Sequence, residues 1–365
     1  MRATEVIDHL HAVIMAGGRG TRFWPLSTAK RPKQLLPIVS ERTMIQETAA
    51  RIRPLVPPER IWVVTGAEQA EEVARQLAFL DRDRILVEPV GRNTAPAIGL
   101  AAVHLLARDP EAVMAVLPAD HAIGDAEAFR AALAAAAHTA AEHRKIVTLG
   151  VTPSRPETGY GYIESGIAVA RVGELTFHEV VAFREKPDLE TARRYVAGGR
   201  HAWNAGIFVW RASVIREEIA THLPALARAL ADPALVRDGG GAAAALAAAY
   251  AGIEAVSIDY GVLERSRRIW MLPVDCGWND VGSWTALYDV RPRDPAGNVI
   301  AGDAVLADTR NAVVHAGGPL VALVGVEDLI VISTPEAVLV CARDKAQDVR
   351  KVVLELERRG RTDLL

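Results

Sequence analysis

The stretch that decides the fold runs from His11 to Ile38, HAVIMAGGRGTRFWPLSTAKRPKQLLPI. His11 to Met15 is a short apolar run, and it predicts a buried strand. It gives way to Ala16-Gly17-Gly18-Arg19-Gly20-Thr21-Arg22, a loop with almost no side-chain bulk. Glycines let backbone N–H groups approach a ligand closely and turn in on it. From Ala16 through Ser40 there are five cations, Arg19, Arg22, Lys30, Arg31 and Lys33, and no acid. The whole chain carries a formal charge of −3, so this local excess is not background. A bare-backbone bend after a first strand, followed by dense positive charge, suits a polyphosphate.

Two better-known phosphate loops are excluded. The P-loop needs Lys-Ser or Lys-Thr after its last glycine, and no such pair follows here. The dinucleotide fingerprint needs a third glycine for close helix–strand packing. Phe23 stands in that place, which argues against a nicotinamide dehydrogenase.

Working outward, 365 residues suit one large domain or two moderate ones, and half of them are hydrophobic, ample for a large core. Charges of both signs are mixed along the chain, so no nucleic-acid partner is expected. The two cysteines, Cys276 and Cys341, form neither a disulfide framework nor a zinc spacing and suit a reducing cytoplasm. The N-terminal MRATEVIDHLH carries acids and no apolar core, unlike a signal peptide. No apolar run approaches the ~20 residues of a membrane helix, so no membrane partner is expected.

Apolar periodicity then alternates between strand-like and helix-like blocks. Strands are expected at Ile61–Thr65, Ile85–Val87, Val113–Leu117 and Ile146–Gly150. Helices are expected at Glu68–Leu80, after the turn Glu88–Pro96 with Pro96 in the first turn and on to about Ala107, and from Asp125 to about His143. This alternation argues for an α/β fold, a parallel sheet covered by helices on both faces. Ligands of such sheets bind outside the carboxyl ends of the strands, where the glycine loop, Glu88–Pro96 and Asp120 would lie. From Thr152 the pattern changes. A helix capped by Asp188 and stopped by Gly198-Gly199 follows Glu185-Lys186-Pro187, and Trp203–Trp210 reads as a strand entered through a polar turn. The run Ala242–Ala249, after Gly239-Gly240-Gly241, reads as a surface excursion that later re-enters a helix, and a further helix is expected from Ser283. Beyond Pro295, Val299 to Cys341 is rich in Val, Ile and Leu in short runs, a small all-β module without a clean hexapeptide repeat. Asp344–Arg359 closes as an amphipathic helix.

Several polar groups could carry chemistry. Asp120 follows a buried strand, and Asp280 sits in a Gly- and Trp-rich turn. Each alone reads as a turn or capping aspartate. Converging beside phosphates, they suit Mg²⁺, which one or two carboxylates plus phosphate oxygens usually hold. Lys186 is a point charge at a strand end, with Glu185 beside it as an acceptor for sugar hydroxyls; the plain alternative is a solvated ion pair. Asn204 in Asn204-Ala205-Gly206 can donate and accept toward a sugar, or simply serve a turn. Gly159, in Thr158-Gly159-Tyr160-Gly161, could lie along a sugar ring, or belong to an ordinary β-turn. In Asp259-Tyr260-Gly261-Val262-Leu263-Glu264, Tyr260 and Glu264 stay ambiguous. Trp24, Trp62, Trp210 and Trp270 read as core. No Ser-His-Asp or Cys-His set is legible, so no covalent nucleophile is expected.

The opening loop resembles the signature of sugar-nucleotide pyrophosphorylases, Gly-Gly-x-Gly-Thr-Arg-x-x-Pro-Leu followed by Pro-Lys, through Gly17, Gly18, Gly20, Thr21, Arg22, Pro25, Leu26, Pro32 and Lys33. Pro118–His121, Thr158–Ile163, Glu185–Pro187, Trp203–Phe208 and Trp278–Trp284 look like successive motifs of the mannose-1-phosphate guanylyltransferases. Gly91–Ile98 looks particular to the guanylyl branch. The resemblance implies a Rossmann-like, mixed, mainly parallel sheet of nucleotidyltransferase type over residues 1–292, with a β module and terminal helix over 293–365. It implies GTP and mannose 1-phosphate as substrates, GDP-mannose and pyrophosphate as products, and Mg²⁺ as cofactor. Arg22 would hold the leaving pyrophosphate and Lys33 would offset charge on the transferred group. Gly17, Gly18, Gly20 and Thr21 would cradle the triphosphate, Asp120 and Asp280 would hold the metal, Lys186 would grip the sugar phosphate, and Glu185 and Asn204 would read mannose hydroxyls. Base reading would fall to Glu88, Asn93 and Thr94. Larger bacterial members carry a further isomerase domain, so that second activity is expected to be absent here. A different sugar or base, or a non-catalytic regulatory homologue, are the rival readings; a homodimer is left open.

Overall fold

The computed structural model describes residues 3–18, 20–236 and 241–365. They fall into two compact units. The first comprises residues 3–17, 49–118 and 125–278 without the undescribed positions, and the second 18–48, 119–124 and 279–365. Arg19, Gly239 and Gly240, named from the sequence, lie outside the described residues.

The first unit is built on a nine-stranded sheet. Its strands in chain order are β1 (Leu10–Ala16), β2 (Ile61–Gly66), β3 (Ile85–Glu88), β4 (Val113–Pro118), β5 (Ile146–Val151), β6 (Tyr162–Val172), β7 (Leu175–Arg184), β8 (His201–Arg211) and β9 (Ile269–Val274). Their spatial order is β3-β2-β1-β4-β8-β5-β9-β7-β6, with β8 also pairing β6. The first four pair in parallel, as their near-continuous apolar runs predict. Register aligns Ala16 with Thr65, Gly66 with Glu88 and Met15 with Pro118, so these strands end on one edge. That edge delivers Gly17 and Glu88 together. β8 runs antiparallel between β4 and β5, and the meander β6–β7 extends the sheet. Val13, Trp62, Leu100, Leu105, Met114 and Trp210 are among the core side chains.

Helix signals hold where a cap is present. Asp125 accepts from the N–H groups of Glu127 and Ala128 and opens Ala126–His143. Asp188 accepts from Thr191 N–H and opens Leu189–Gly198, which Gly199 ends at φ 64°. Asn93 caps Thr94–Arg108, and Pro96 sits in its first turn. In this unit three readings need correction. Ala242–Ala249 is helix throughout, within Gly241–Ala251, because alanine carries no side-chain entropy to lose there. The helix expected over Glu68–Leu80 is confined to Ala70–Gln76. Asn204–Gly206 is not a turn before a strand but lies inside β8, where pairing with β5 shifts register between Thr148 and Gly150.

In the second unit, β10 (Val299–Ala307), β11 (Val313–Val324) and β12 (Leu329–Ser333) pair in parallel, and β13 (Val338–Ala342) returns antiparallel. Val313, Ile330 and Ile332 join Phe23, Leu36, Val281 and Trp284 in one apolar cluster, which also takes up Val349 and Val353 of the terminal helix Val349–Arg358. The helix expected from Ser283 begins only at Ala286, since Val281 holds a left-handed backbone (φ 48°) just before it.

Candidate active site

The second unit carries the charged end. Gly20 takes φ 57°, and a Cβ there would lie 2.5 Å from Lys33 Cβ, so the loop and the lysine backbone approach as only glycine allows. Ser27 Oγ donates to Gly20 O (2.6 Å) and Gln34 Nε2 to Gly18 O (3.1 Å), which fixes the bend from within. Thr21 opens a single helical turn, Thr21–Phe23, that leaves Arg22 exposed while Phe23 packs on Trp284, ring centroids 4.9 Å apart. Arg22 Nη1 donates to Gly282 O at 3.3 Å.

Lys33 is 5% exposed. Its ammonium donates to Asp120 Oδ2 at 2.9 Å and to the backbone oxygen of Asp280 at 2.7 Å. Asp280 Oδ1 accepts from Gly282 N–H and Asn279 Oδ1 from Val281 N–H, so side chains of the turn clamp its own backbone. The chain thus gathers Arg22, Lys33, Asp120 and Asp280 within one unit from three separated segments. Burial alone would raise the Asp120 carboxyl. The charges of Lys33 and His121, with the Lys33 hydrogen bond, hold it below the ordinary carboxylate range instead. No cluster of three or more His, Cys, Asp or Glu side chains suited to a metal occurs among the described residues.

The first unit carries the remaining site residues in two groups. At the end of β3, Glu88 is 6% exposed, and Tyr250 Oη donates to its Oε1 at 3.1 Å. Burial pushes the Glu88 carboxyl up to about 7, against the lowering effect of that hydrogen bond. A Cβ on Gly17 would stand 3.9 Å from Glu88 Oε2, so the carboxylate faces the start of the glycine loop. Asn93, at φ 70° and ψ −170°, accepts from Thr94 N–H, and Thr94 Oγ1 accepts from Ile258 N–H at 2.8 Å. The Thr94 side chain thereby braces the segment leading to Asp259.

Asn204 sits at the centre of the second group. Its Oδ1 accepts from Gly206 N–H (3.0 Å) and Thr148 Oγ1 (3.3 Å), and its Nδ2 donates to Asp259 Oδ1 (3.1 Å). An amide has two N–H donors, so one Nδ2 hydrogen is left for a ligand hydroxyl. Lys186, exposed and at φ 45°, pairs with Glu185 Oε1 at 3.0 Å, and Glu185 N–H donates to Glu264 Oε1 at 3.4 Å. Gly159 is exposed and its N–H donates to Glu157 Oε1. Tyr160 meets Trp203 and Trp278 edge-on.

Asp259 is the residue that sequence reasoning missed. Reading its segment singled out Tyr260 and Glu264, yet Tyr260 is exposed and Asp259 is the carboxylate on Asn204. Burial, then the Glu185 charge, raises Asp259 to about 6, with the Asn204 bond and Lys186 opposing. The available signal was an acid immediately before an exposed tyrosine in a Gly-broken turn.

A glycine loop, a lysine held by the Asp120 carboxylate and the Asp280 carbonyl, and parallel strands that end on one edge are the features of a nucleotide-handling fold. Residues 11–296 match the Nucleotidyl transferase family, and residues 302–356 match a MannoseP isomerase/GMP-like beta-helix domain. The chain belongs to the nucleotidyl transferase family. Its relatives include mannose-1-phosphate guanylyltransferase of Escherichia coli (strain K12), 42% identical over 96% of this chain and 74% of the relative. The xanthan biosynthesis protein XanB of Xanthomonas campestris pv. campestris is also 42% identical, with the same coverage of each chain. A crystal structure described as mannose-1-phosphate geranyltransferase from Thermus thermophilus superposes with a TM-score of 0.84 at 40% identity, covering 96% of this chain and 99% of that one. Within the family, the chain groups with the mannose-1-phosphate guanylyltransferases.

Proposed function

We propose that this chain transfers a guanylyl group from GTP to α-D-mannose 1-phosphate, giving GDP-mannose and pyrophosphate. The observation that carries the reading is the buried Lys33 ammonium held by Asp120 and by Asp280 O beside the glycine bend. A phosphate oxygen of mannose 1-phosphate attacks the α-phosphorus of GTP. The bond from that phosphorus to the bridging oxygen of the β-phosphate breaks, and pyrophosphate leaves with its electrons. No proton need move and no bond to the protein forms, so the protein acts by positioning and by offsetting charge.

Each side chain takes a role its surroundings support. Backbone N–H groups of Gly17, Gly18, Gly20 and Thr21 cradle the triphosphate, and exposed Arg22 meets the leaving pyrophosphate. Lys33, fixed by two acceptors, places its charge beside the transferred group at little reorganisation. Asp120 and Asp280 fit Mg²⁺, because hard carboxylate oxygens with phosphate oxygens completing the shell are what that ion takes. When bound, Mg²⁺ would neutralise phosphate oxygens. Lys186 grips the sugar phosphate, while Glu185 and the spare Nδ2 hydrogen of Asn204 meet mannose hydroxyls, with Gly159 leaving room for the ring. Glu88, Asn93 and Thr94 lie at the base end. A cytoplasmic setting accompanies the reading, in keeping with Cys276 and Cys341 as free thiols. Among the described residues, no helix is long and apolar enough to cross a membrane.

The test is pyrophosphate release from each nucleoside triphosphate paired with each sugar 1-phosphate in Mg²⁺. Release is expected to be greatest with GTP and mannose 1-phosphate. Preference for another pair would reassign the substrate, and no release with any pair would favour a regulatory binder.

A further inference from the structure

Glu88 has one hydrogen-bond donor among the described residues, the hydroxyl of Tyr250. Tyr250 is fully buried and lies in the helix Gly241–Ala251, whose other residues are Ala, Leu and Gly. It is therefore the only polar side chain of that helix, and it is spent on a carboxylate more than 160 positions earlier in the chain. The bond engages Oε1, while Oε2 faces Gly17, at the first residue of the phosphate-type loop. A carboxylate accepts and never donates when ionised. The pairing edge of guanine offers two adjacent donors, N1–H and the 2-amino group, whereas adenine offers a donor beside a lone pair. A carboxylate held in one plane thus matches guanine and opposes adenine, but only while its rotation is stopped.

We infer that Tyr250 is a positioning residue for base choice: its hydroxyl pins Glu88 Oε1 so that the carboxylate meets both guanine donors at once. This rests on Glu88 reading the base, as placed above. A carboxylate free to rotate would still attract a purine with one donor, but would lose the second bond. The residue's effect should therefore fall on discrimination between guanine and hypoxanthine, which lacks the 2-amino group, rather than on turnover.

The experiment compares Tyr250→Phe, Glu88→Gln and the double variant with GTP and with inosine triphosphate, reading pyrophosphate release at saturating mannose 1-phosphate and pH 8. Tyr250→Phe is expected to raise the KM for GTP about tenfold with kcat within about twofold, and to cut the GTP-over-ITP ratio of kcat/KM at least fivefold. In the Glu88→Gln background the same change should leave the ratio unmoved. Equal losses for GTP and ITP in Tyr250→Phe would mark a merely structural tyrosine and overturn the proposal. An unchanged ratio in Glu88→Gln would instead overturn the base-reading role of Glu88. Tyr250→His keeps a ring and an N–H donor and is expected to recover part of the ratio. It provides the same reading if the Phe variant does not fold; a parental GTP-over-ITP ratio, with both substrates weakened equally, would then count against the positioning role.

Discussion

Glu88→Gln is expected to stabilise the ligand-free protein progressively as pH rises. Burial carries the Glu88 carboxyl from 4.5 to about 7. An acid whose pKa is raised by folding binds its proton more tightly in the folded state. Its contribution is whole below pH 4.5, is lost as pH rises through the window from 4.5 to about 7, and is gone above it. At ~1.4 kcal/mol per pH unit of that window, the ionised carboxylate costs about 3 kcal/mol at pH 8, of which about 2.5 kcal/mol develops between pH 5 and pH 8. Glutamine keeps the shape and an oxygen for the Tyr250 hydroxyl but carries no charge, so the pH-dependent part disappears. Asp259, raised to about 6, adds a slope of the same sign, but both proteins carry it and it cancels in the difference. With ~2–4 °C per kcal/mol for a unit of this size, the melting-temperature gap between variant and parent should widen by about 5–10 °C from pH 5 to pH 8. Calorimetry of the two proteins at four pH values measures it. A gap that stays constant across that range would mean the carboxyl titrates normally, and the buried, singly bonded Glu88 would be wrong.

Lys33→Met leaves Asp120 without its ammonium, so turnover should fall about 100-fold or more. The acid limb of the pH–rate profile should move to higher pH, because the Lys33 charge lowers Asp120; near-normal turnover with unchanged Mg²⁺ dependence would refute the role. Asp280→Asn should raise the Mg²⁺ concentration for half-maximal activity at least about tenfold with little change in melting temperature, and an unshifted metal titration would refute the two-carboxylate site. Gly20→Ala forces a Cβ onto Lys33 and into a left-handed backbone. It should lower stability by about 1–2 kcal/mol and slow turnover together, read by melting and by pyrophosphate release, whereas a variant unaffected in both would deny the close approach.

Much of the frame was legible because local rules and the global fold agree there. The apolar runs at Leu10–Ala16, Ile61–Gly66 and Val113–Pro118 can only be buried on both faces, and Asp125 and Asp188 cap their helices as their side chains dictate. The insertion of β8 between β4 and β5 was not legible, because antiparallel pairing between strands so far apart in the chain leaves no periodicity in either strand. Tyr250 was illegible for the opposite reason. Its surroundings in the sequence are all alanine, and nothing local signals that one hydroxyl will meet Glu88.

The sharpest failures of local reading fall where the backbone is forced. Among the described residues, seven positions other than glycine take positive φ. Arg144 ends a helix and Asp308, Asn311 and Asp328 serve turns of the β module, which need no further reason. The other three are Asn93, Lys186 and Val281, one in each group of candidate site residues. Glycine would adopt these angles without strain, so each side chain must repay about 1–3 kcal/mol by what it does. Asn93 supplies the cap of a 15-residue helix. Lys186 precedes a proline, which favours extended backbone and so adds to the strain, and it presents the ammonium that pairs with Glu185. Val281 is fully buried among Phe23 and Trp284, so its isopropyl group anchors the turn while its backbone aims the Asp280 carbonyl at Lys33. A β-branched residue in that conformation is disfavoured by every local preference. The position can only be understood from what it holds in place on either side, which is why a sequence read in windows passes over it.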